Sequence, residues 1–265
     1  MLSRGVGVML YFKESNADQA ETIIWLHGAM LAHWMWDDLI SKLPQYHHLA
    51  VDLPGHAASN QTPFLSLADA AKRIGELIKT KAHHGKAHLV GLSLGGYIVL
   101  KVIEQTPDVV DSAIVSGITV LPIPNLGFYN MLMPVMATVL KWPFVARMNA
   151  KSLKMPDTVL AKYVESAKQT QRSAILTTSR DVANFHLSSE LFSRQHPILS
   201  VAGTNEHPTV KASVKEIANK LPHAQGYLVP DVGHGWTAEA PTLFAEMVAS
   251  WFERQSVPQT FHPIE

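Results

Sequence analysis

Ser93 stands in Gly91-Leu92-Ser93-Leu94-Gly95, with a glycine two places away on either side and a further glycine, Gly96, close behind. A serine hydroxyl is a weak nucleophile unless a neighbouring base takes its proton and a third group orients that base. Among 14 histidines, His234 is the candidate base. It sits in Asp231-Val232-Gly233-His234-Gly235-Trp236, a glycine-flanked loop between the last predicted strand and the last predicted helix. The candidate acid is Glu206, the one carboxylate in Gly203-Thr204-Asn205-Glu206-His207-Pro208. Asp231 is held in reserve, and Asp111 opens its predicted strand, at the wrong end of the sheet. The chain order is then serine, acid, histidine. Attack by such a serine creates a tetrahedral oxyanion, which two preorganised backbone N–H groups stabilise. Leu94 supplies one, directly after the nucleophile. Ala29, in His27-Gly28-Ala29-Met30 after an early apolar run, supplies the other, with Met30 close behind.

These residues need elements to position them. Apolar runs at Thr22–Leu26, Leu49–Leu53, Ala87–Val90, Ser112–Ser116, Ile198–Ala202 and Gly226–Val229 lack polar alternation, the pattern of strands buried on both faces of a parallel sheet. Helical stripes separate most of them: Trp36, Leu39, Ile40 and Leu43 form one, and Leu243, Phe244, Met247, Val248, Trp251 and Phe252 form another on a terminal helix. Strand and helix in alternation predict an α/β fold with helices on both sides of the sheet. Ser93 then occupies a sharp turn from strand into the helix Gly95–Gln105, where Gly91, Gly95 and Gly96 are the steric condition for exposing its hydroxyl. From Leu121 to Gln195 the rhythm breaks, with five prolines (Pro122, Pro124, Pro134, Pro143, Pro156) and a concentration of methionine and aromatic residues. That stretch reads as a helical insertion. Residues 1–120 and 196–265 form the core and 121–195 a helical cap.

The composition narrows the function classes. In 265 residues, 22 basic side chains balance 22 acidic ones, so neither nucleic acid nor an anionic partner is favoured by overall charge. There is no cysteine, hence no disulfide, thiolate metal site or cysteine nucleophile. Met1–Glu14 is too brief an apolar segment for a signal peptide, and no run of about 20 apolar residues spans a membrane. A cytoplasmic protein acting on a small molecule is the expectation. His47–His48 and His83–His84 lie at element edges, and Gly85 interrupts the His84/His88 spacing, so no metal site is expected, nor any organic cofactor.

The set His27-Gly28, Asp52-Leu53-Pro54-Gly55-His56, Gly91-Leu92-Ser93-Leu94-Gly95-Gly96, Gly203 to Glu206 and Gly233-His234 resembles the α/β-hydrolase superfamily over nearly the whole chain. The resemblance implies a mostly parallel sheet with a cap inserted after the sixth strand. It also implies Ser93 as nucleophile, His234 as base and Glu206 as acid, with His27 supporting the oxyanion loop. Two positions depart from the family pattern. Most relatives carry Asp where Glu206 stands, and Gly55-His56-Ala57-Ala58-Ser59 lacks the usual second glycine.

Serine argues against the epoxide and halide chemistry of relatives with an aspartate nucleophile, and the lack of His-Gly-Gly-Gly argues against the lipases and esterases built on that loop. The expectation is a carboxylic-ester hydrolase for a small or medium, largely apolar substrate, working through an acyl-enzyme. Met30, Trp34 and Trp236 are the expected substrate-binding residues. Three alternatives stand beside it: a carbon–carbon bond hydrolase or lactonase with the same triad, a ligand-sensing protein with little turnover, and an interfacial lipid-active protein whose cap helices lie on a membrane. No oligomeric state is assigned.

Overall fold

The computed structural model describes residues 9–122, 125–153 and 155–264; the first eight residues of Met1–Glu14, and Pro124 of the insertion, lie outside the described residues. Strands β1 (Phe12–Ser15), β2 (Thr22–Leu26), β3 (His47–Val51), β4 (Ala87–Leu92), β5 (Val110–Ser116), β6 (Ile198–Gly203), β7 (Ala224–Val229) and β8 (His262–Pro263) form one sheet in the order β1-β3-β2-β4-β5-β6-β7-β8. The six inner strands are parallel. β1 and β8 close the two edges antiparallel to β3 and β7.

Alternate residues of a strand point to opposite faces, and both faces here are covered. Ile24, Leu26, Leu49, Leu89 and Val115 pack under α2 (Leu67–Lys81) and α3 (Leu94–Gln105), while Ile23, Trp25, Ala50, Val90 and Ile114 pack under α1 (Asp37–Ser41) and the terminal helix. That two-sided burial is why these strands show no polar alternation. β2 has the expected bounds. β3 begins two residues earlier than the apolar run, because His47 and His48 are buried in it with satisfied rings: His47 bonds Thr22 Oγ1 and Glu14 Oε1, and His48 bonds Trp25 Nε1 and Leu43 O.

Between β5 and β6 the chain forms α4 (Leu126–Val139), α5 (Pro143–Ser152), α6 (Asp157–Gln169), α7 (Arg172–Ala183) and α8 (Ser189–Phe192), with no strand among the described residues of that stretch. In the count of described strands this insertion follows the fifth, because a single strand, β1, precedes the parallel set. After it come α9 (Pro208–Lys220), α10 (Trp236–Glu239) and α11 (Pro241–Arg254), whose buried stripe is Phe244, Met247, Val248 and Trp251. No helix among the described residues is long and apolar enough to cross a membrane.

The strand order reverses at β2: the chain leaves it for β3 on one side and returns to β4 on the other. Crevices outside the carboxyl ends of strands at such a reversal are where α/β sheets hold ligands. Here that places the loop after β2 beside the turn after β4, since Leu26 pairs with Gly91.

Candidate active site

Ser93 lies between β4 and α3 with φ 51° and ψ −117°, a conformation that costs a non-glycine residue about 1–3 kcal/mol and persists only where surroundings enforce it. The enforcement is visible. Ser93 N–H donates to Ser116 O at 2.8 Å, and Ser93 O accepts from Gly96 N–H at 2.9 Å. A methyl group on Gly91 would fall 2.4 Å from the carbonyl carbon of Gly95, and one on Gly95 would fall 1.9 Å from Leu26 O. Both glycines are therefore steric requirements of the turn. Ser93 itself is half-buried.

The next strand end supplies the corner where the set meets. Leu92 pairs with Ser116, and Gly117 follows with φ 67°. A methyl on Gly117 would lie 2.8 Å from both Cε1 and Nδ1 of His234 and 3.4 Å from Glu206 Oε2. So Ser93 is tied to Ser116 while His234 and Glu206 rest against its neighbour. His234 Nδ1 is 2.7 Å from Glu206 Oε2, and Glu206 Oε1 accepts from Gly203 N–H at 3.1 Å. A carboxylate oxygen only accepts, so the hydrogen sits on Nδ1 and Nε2 of the neutral ring keeps its lone pair, as a proton acceptor requires. The Glu206 side chain is 1% exposed and that of His234 33%. Asp231 is exposed at φ 60°, its N–H held by Thr204 Oγ1, and Nδ1 of His234 is engaged by Glu206 instead.

The loop after β2 faces the serine from the other side: a methyl on Gly28 would be 3.5 Å from Ser93 Cβ. Ala29 is exposed, and Leu94, as the first residue of α3, has an N–H without an intrahelical acceptor. Two buried groups brace this loop. His27 Nε2 accepts from Leu53 N–H at 3.0 Å, which leaves Nδ1 to donate to Gly28 O at 2.7 Å; burial lowers its pKa and keeps the ring neutral. Asp52 accepts from His33 N–H at 2.7 Å, from the His33 ring at 2.9 Å and from Ala58 N–H at 3.1 Å. Burial would raise the Asp52 pKa, but the hydrogen bonds from the His33 ring and N–H, with the attraction of that ring, outweigh it and hold the pKa below the usual carboxylate value. Asp52 was legible only as part of a motif, and His33 carried no signal in the sequence. Ser116-Gly117 did carry one, a glycine at the carboxyl end of a predicted strand.

Residues 23–247 match the alpha/beta hydrolase family. The chain belongs to that family. A Gibberella zeae protein named as an AB hydrolase superfamily protein is 28% identical over 96% of this chain and 87% of its own. A pimeloyl-[acyl-carrier protein] methyl ester esterase of Nitrosomonas europaea is 25% identical over 87% of this chain and 94% of its own. Among solved structures, an esterase from Exiguobacterium antarcticum superposes with a TM-score of 0.79 at 16% identity, covering 92% of this chain and 95% of that one, a likeness of fold.

Within this α/β-hydrolase the expected substrate-binding residues separate. Met30 is buried at φ 62° in a cluster with Leu31, Ala137, Ala146 and Tyr163, and Trp34 packs on the same cluster with Nε1 donating to Ser166 Oγ at 2.9 Å. Both join the loop after β2 to the inserted helices. Trp236 does not belong with them. It is fully buried against Phe244 and Phe261, with Nε1 donating to Ser116 Oγ at 2.9 Å, so it supports the Ser116–Gly117 corner from below and offers no surface to a substrate. Among the methionine and aromatic side chains of residues 121–195, Phe128, Met131, Met136, Trp142, Phe144 and Met148 are exposed. A cavity of about 420 Å³ opens beside His234 and Glu206, walled by Ser152, Leu153, Asn205, His207 and Val210 among others; Ser93 is not part of its wall. The missing second glycine leaves the turn after β3 intact, because Ala57 takes a positive φ of 39° in its place.

Proposed function

We propose that this α/β-hydrolase is a serine hydrolase that cleaves a carboxylic ester of a small or medium, largely apolar substrate through an acyl-enzyme. The observation that carries the reading is the Ser116–Gly117 corner, against which the Ser93 amide and the 2.7 Å His234–Glu206 pair converge. Ser93 Oγ attacks the ester carbonyl as His234 Nε2 takes its proton, and the oxyanion is met by the N–H groups of Ala29 and Leu94. Collapse breaks the carbon–oxygen bond to the alcohol, which leaves with the proton returned by His234. Water, deprotonated by the same ring, then releases the acid and regenerates Ser93.

The esterase names of several relatives support an ester as substrate. The apolar preference rests on Met30, Leu31 and Trp34 at the seam between the core and residues 121–195, which we assign as a cap bounding the acyl or alcohol side. The test is intact-protein mass after brief exposure to a small fluorophosphonate. A single adduct in the wild type, absent from Ser93→Ala and strongly slowed in His234→Ala, is expected; a folded wild type that stays unlabelled would overturn the reading. A panel of aryl esters, lactones and a vinylogous diketone then ranks the substrate classes, with turnover falling as the leaving alcohol is enlarged.

A further inference from the structure

Helix α4 carries no charged residue and has two apolar stripes. Met133, Ala137 and Leu140 face the cluster that contains Met30 and Tyr163, whereas Phe128, Met131 and Val135 lie on the opposite side, each at least 60% exposed. The pattern continues on α5: Ala146 and Ala150 are buried, while Phe144 and Met148 turn outward together with Arg147 and Lys151, and Trp142 is exposed in the turn between the helices. A helix apolar on all sides is ordinarily enclosed. Here one side is open. The helix is nonetheless fixed in place, with Arg172 of α7 donating to Thr138 Oγ1 and Pro134 O.

Charge decides what fits. From Ser112 to Pro156 the sequence holds Lys141, Arg147, Lys151 and Lys154 and not one Asp or Glu, although the whole chain is neutral. The overall balance therefore conceals a cationic, apolar face. Two copies meeting through it would set like charges together. An anionic lipid surface satisfies both features, because apolar and aromatic side chains enter the headgroup boundary while Arg and Lys on the same face meet lipid phosphates. We propose that the outer face of α4 and α5 docks the protein in the plane of an anionic lipid surface. This inference does not rest on the ester chemistry of Ser93.

The experiment is co-sedimentation of the full chain with phosphatidylglycerol-rich vesicles and with pure phosphatidylcholine vesicles, at low and high salt. Arg147→Glu/Lys151→Glu and Phe144→Ser/Met148→Ser are compared with the wild type, all four positions being exposed and each variant checked by thermal melting. Binding is expected to phosphatidylglycerol vesicles, weakened by salt and reduced at least about tenfold in each double variant. A folded wild type that stays in the supernatant overturns the proposal. So does undiminished binding of Arg147→Glu/Lys151→Glu. A dimer in light scattering that Phe144→Ser/Met148→Ser abolishes, with no vesicle binding, would make a second copy the occupant and likewise overturn it.

Discussion

Glu206→Gln preserves the size of the buried side chain and removes its charge. Neither amide orientation replaces the carboxylate. With the amide oxygen on Gly203 N–H, the NH2 group faces His234 Nδ1, which must then accept, and the ring proton moves to Nε2, where the lone pair is needed. With the oxygen on Nδ1, the NH2 group opposes Gly203 N–H, donor against donor. The larger loss comes when the ring becomes cationic during attack. An opposite charge about 4 Å from it is worth about 4 kcal/mol in a partly solvated site, and somewhat less for a ring as exposed as His234. At about 1.4 kcal/mol per decade this gives a loss of about 10²–10³ in kcat/KM. The assay is kcat/KM for an aryl ester together with the rate of fluorophosphonate labelling, with thermal melting to establish folding. A loss below about tenfold in both rates, in a folded variant, would refute the orienting role of Glu206. Asp231→Asn is the control and should leave both rates unchanged; a loss there alone would transfer the role to Asp231.

Gly117→Ala should cost about 10² in turnover, because its methyl would sit 2.8 Å from His234 Nδ1 and displace the ring; wild-type turnover in the folded variant would contradict this. Ala57→Gly relieves a positive φ of 39° and should raise stability by about 0.5–1 kcal/mol in a urea melt, the strain released less the entropy that glycine loses on folding. Stability should fall in mild acid. Burial pushes His56 down to about 3 and His48 down to about 4, whereas both titrate at about 6.5 once unfolded, so the unfolded chain binds more protons throughout that window. Between about pH 6 and about pH 5 the pair should remove roughly 2 kcal/mol, and His48→Gln should take away about half of that share, roughly 1 kcal/mol; an unchanged slope would exclude His48 as a source.

The parts of this molecule that were legible in the sequence are those where the backbone leaves a residue no alternative. Gly91 and Gly95 have neighbouring backbone where a side chain would be, and that need is written in the motif itself. Glu206 and His234 follow strand ends, and the parallel sheet brings those ends together in order. The edge strands were not legible: β1 reads Phe-Lys-Glu-Ser and β8 spans two residues, so neither has the two-sided burial that marks β2 to β6. Trp236 failed for a different reason. Adjacency in sequence to His234 says nothing about which way an indole points, and the first turn of α10 sends it into the core.

The inserted helices mark the limit of periodicity as a guide. In a strand, a run without polar residues has one physical explanation, a covered face on each side, and β2, β4 and β6 here obey it. In α4 the absence of charge has two explanations, because one apolar stripe can pack on Met30 and Tyr163 while the other meets whatever lies outside the chain. Hydrophobicity alone cannot separate a lining from a docking face. The missing acidic residues from Ser112 to Pro156 supply the second criterion on which the proposed docking face rests, since an anionic surface would disfavour Asp and Glu there.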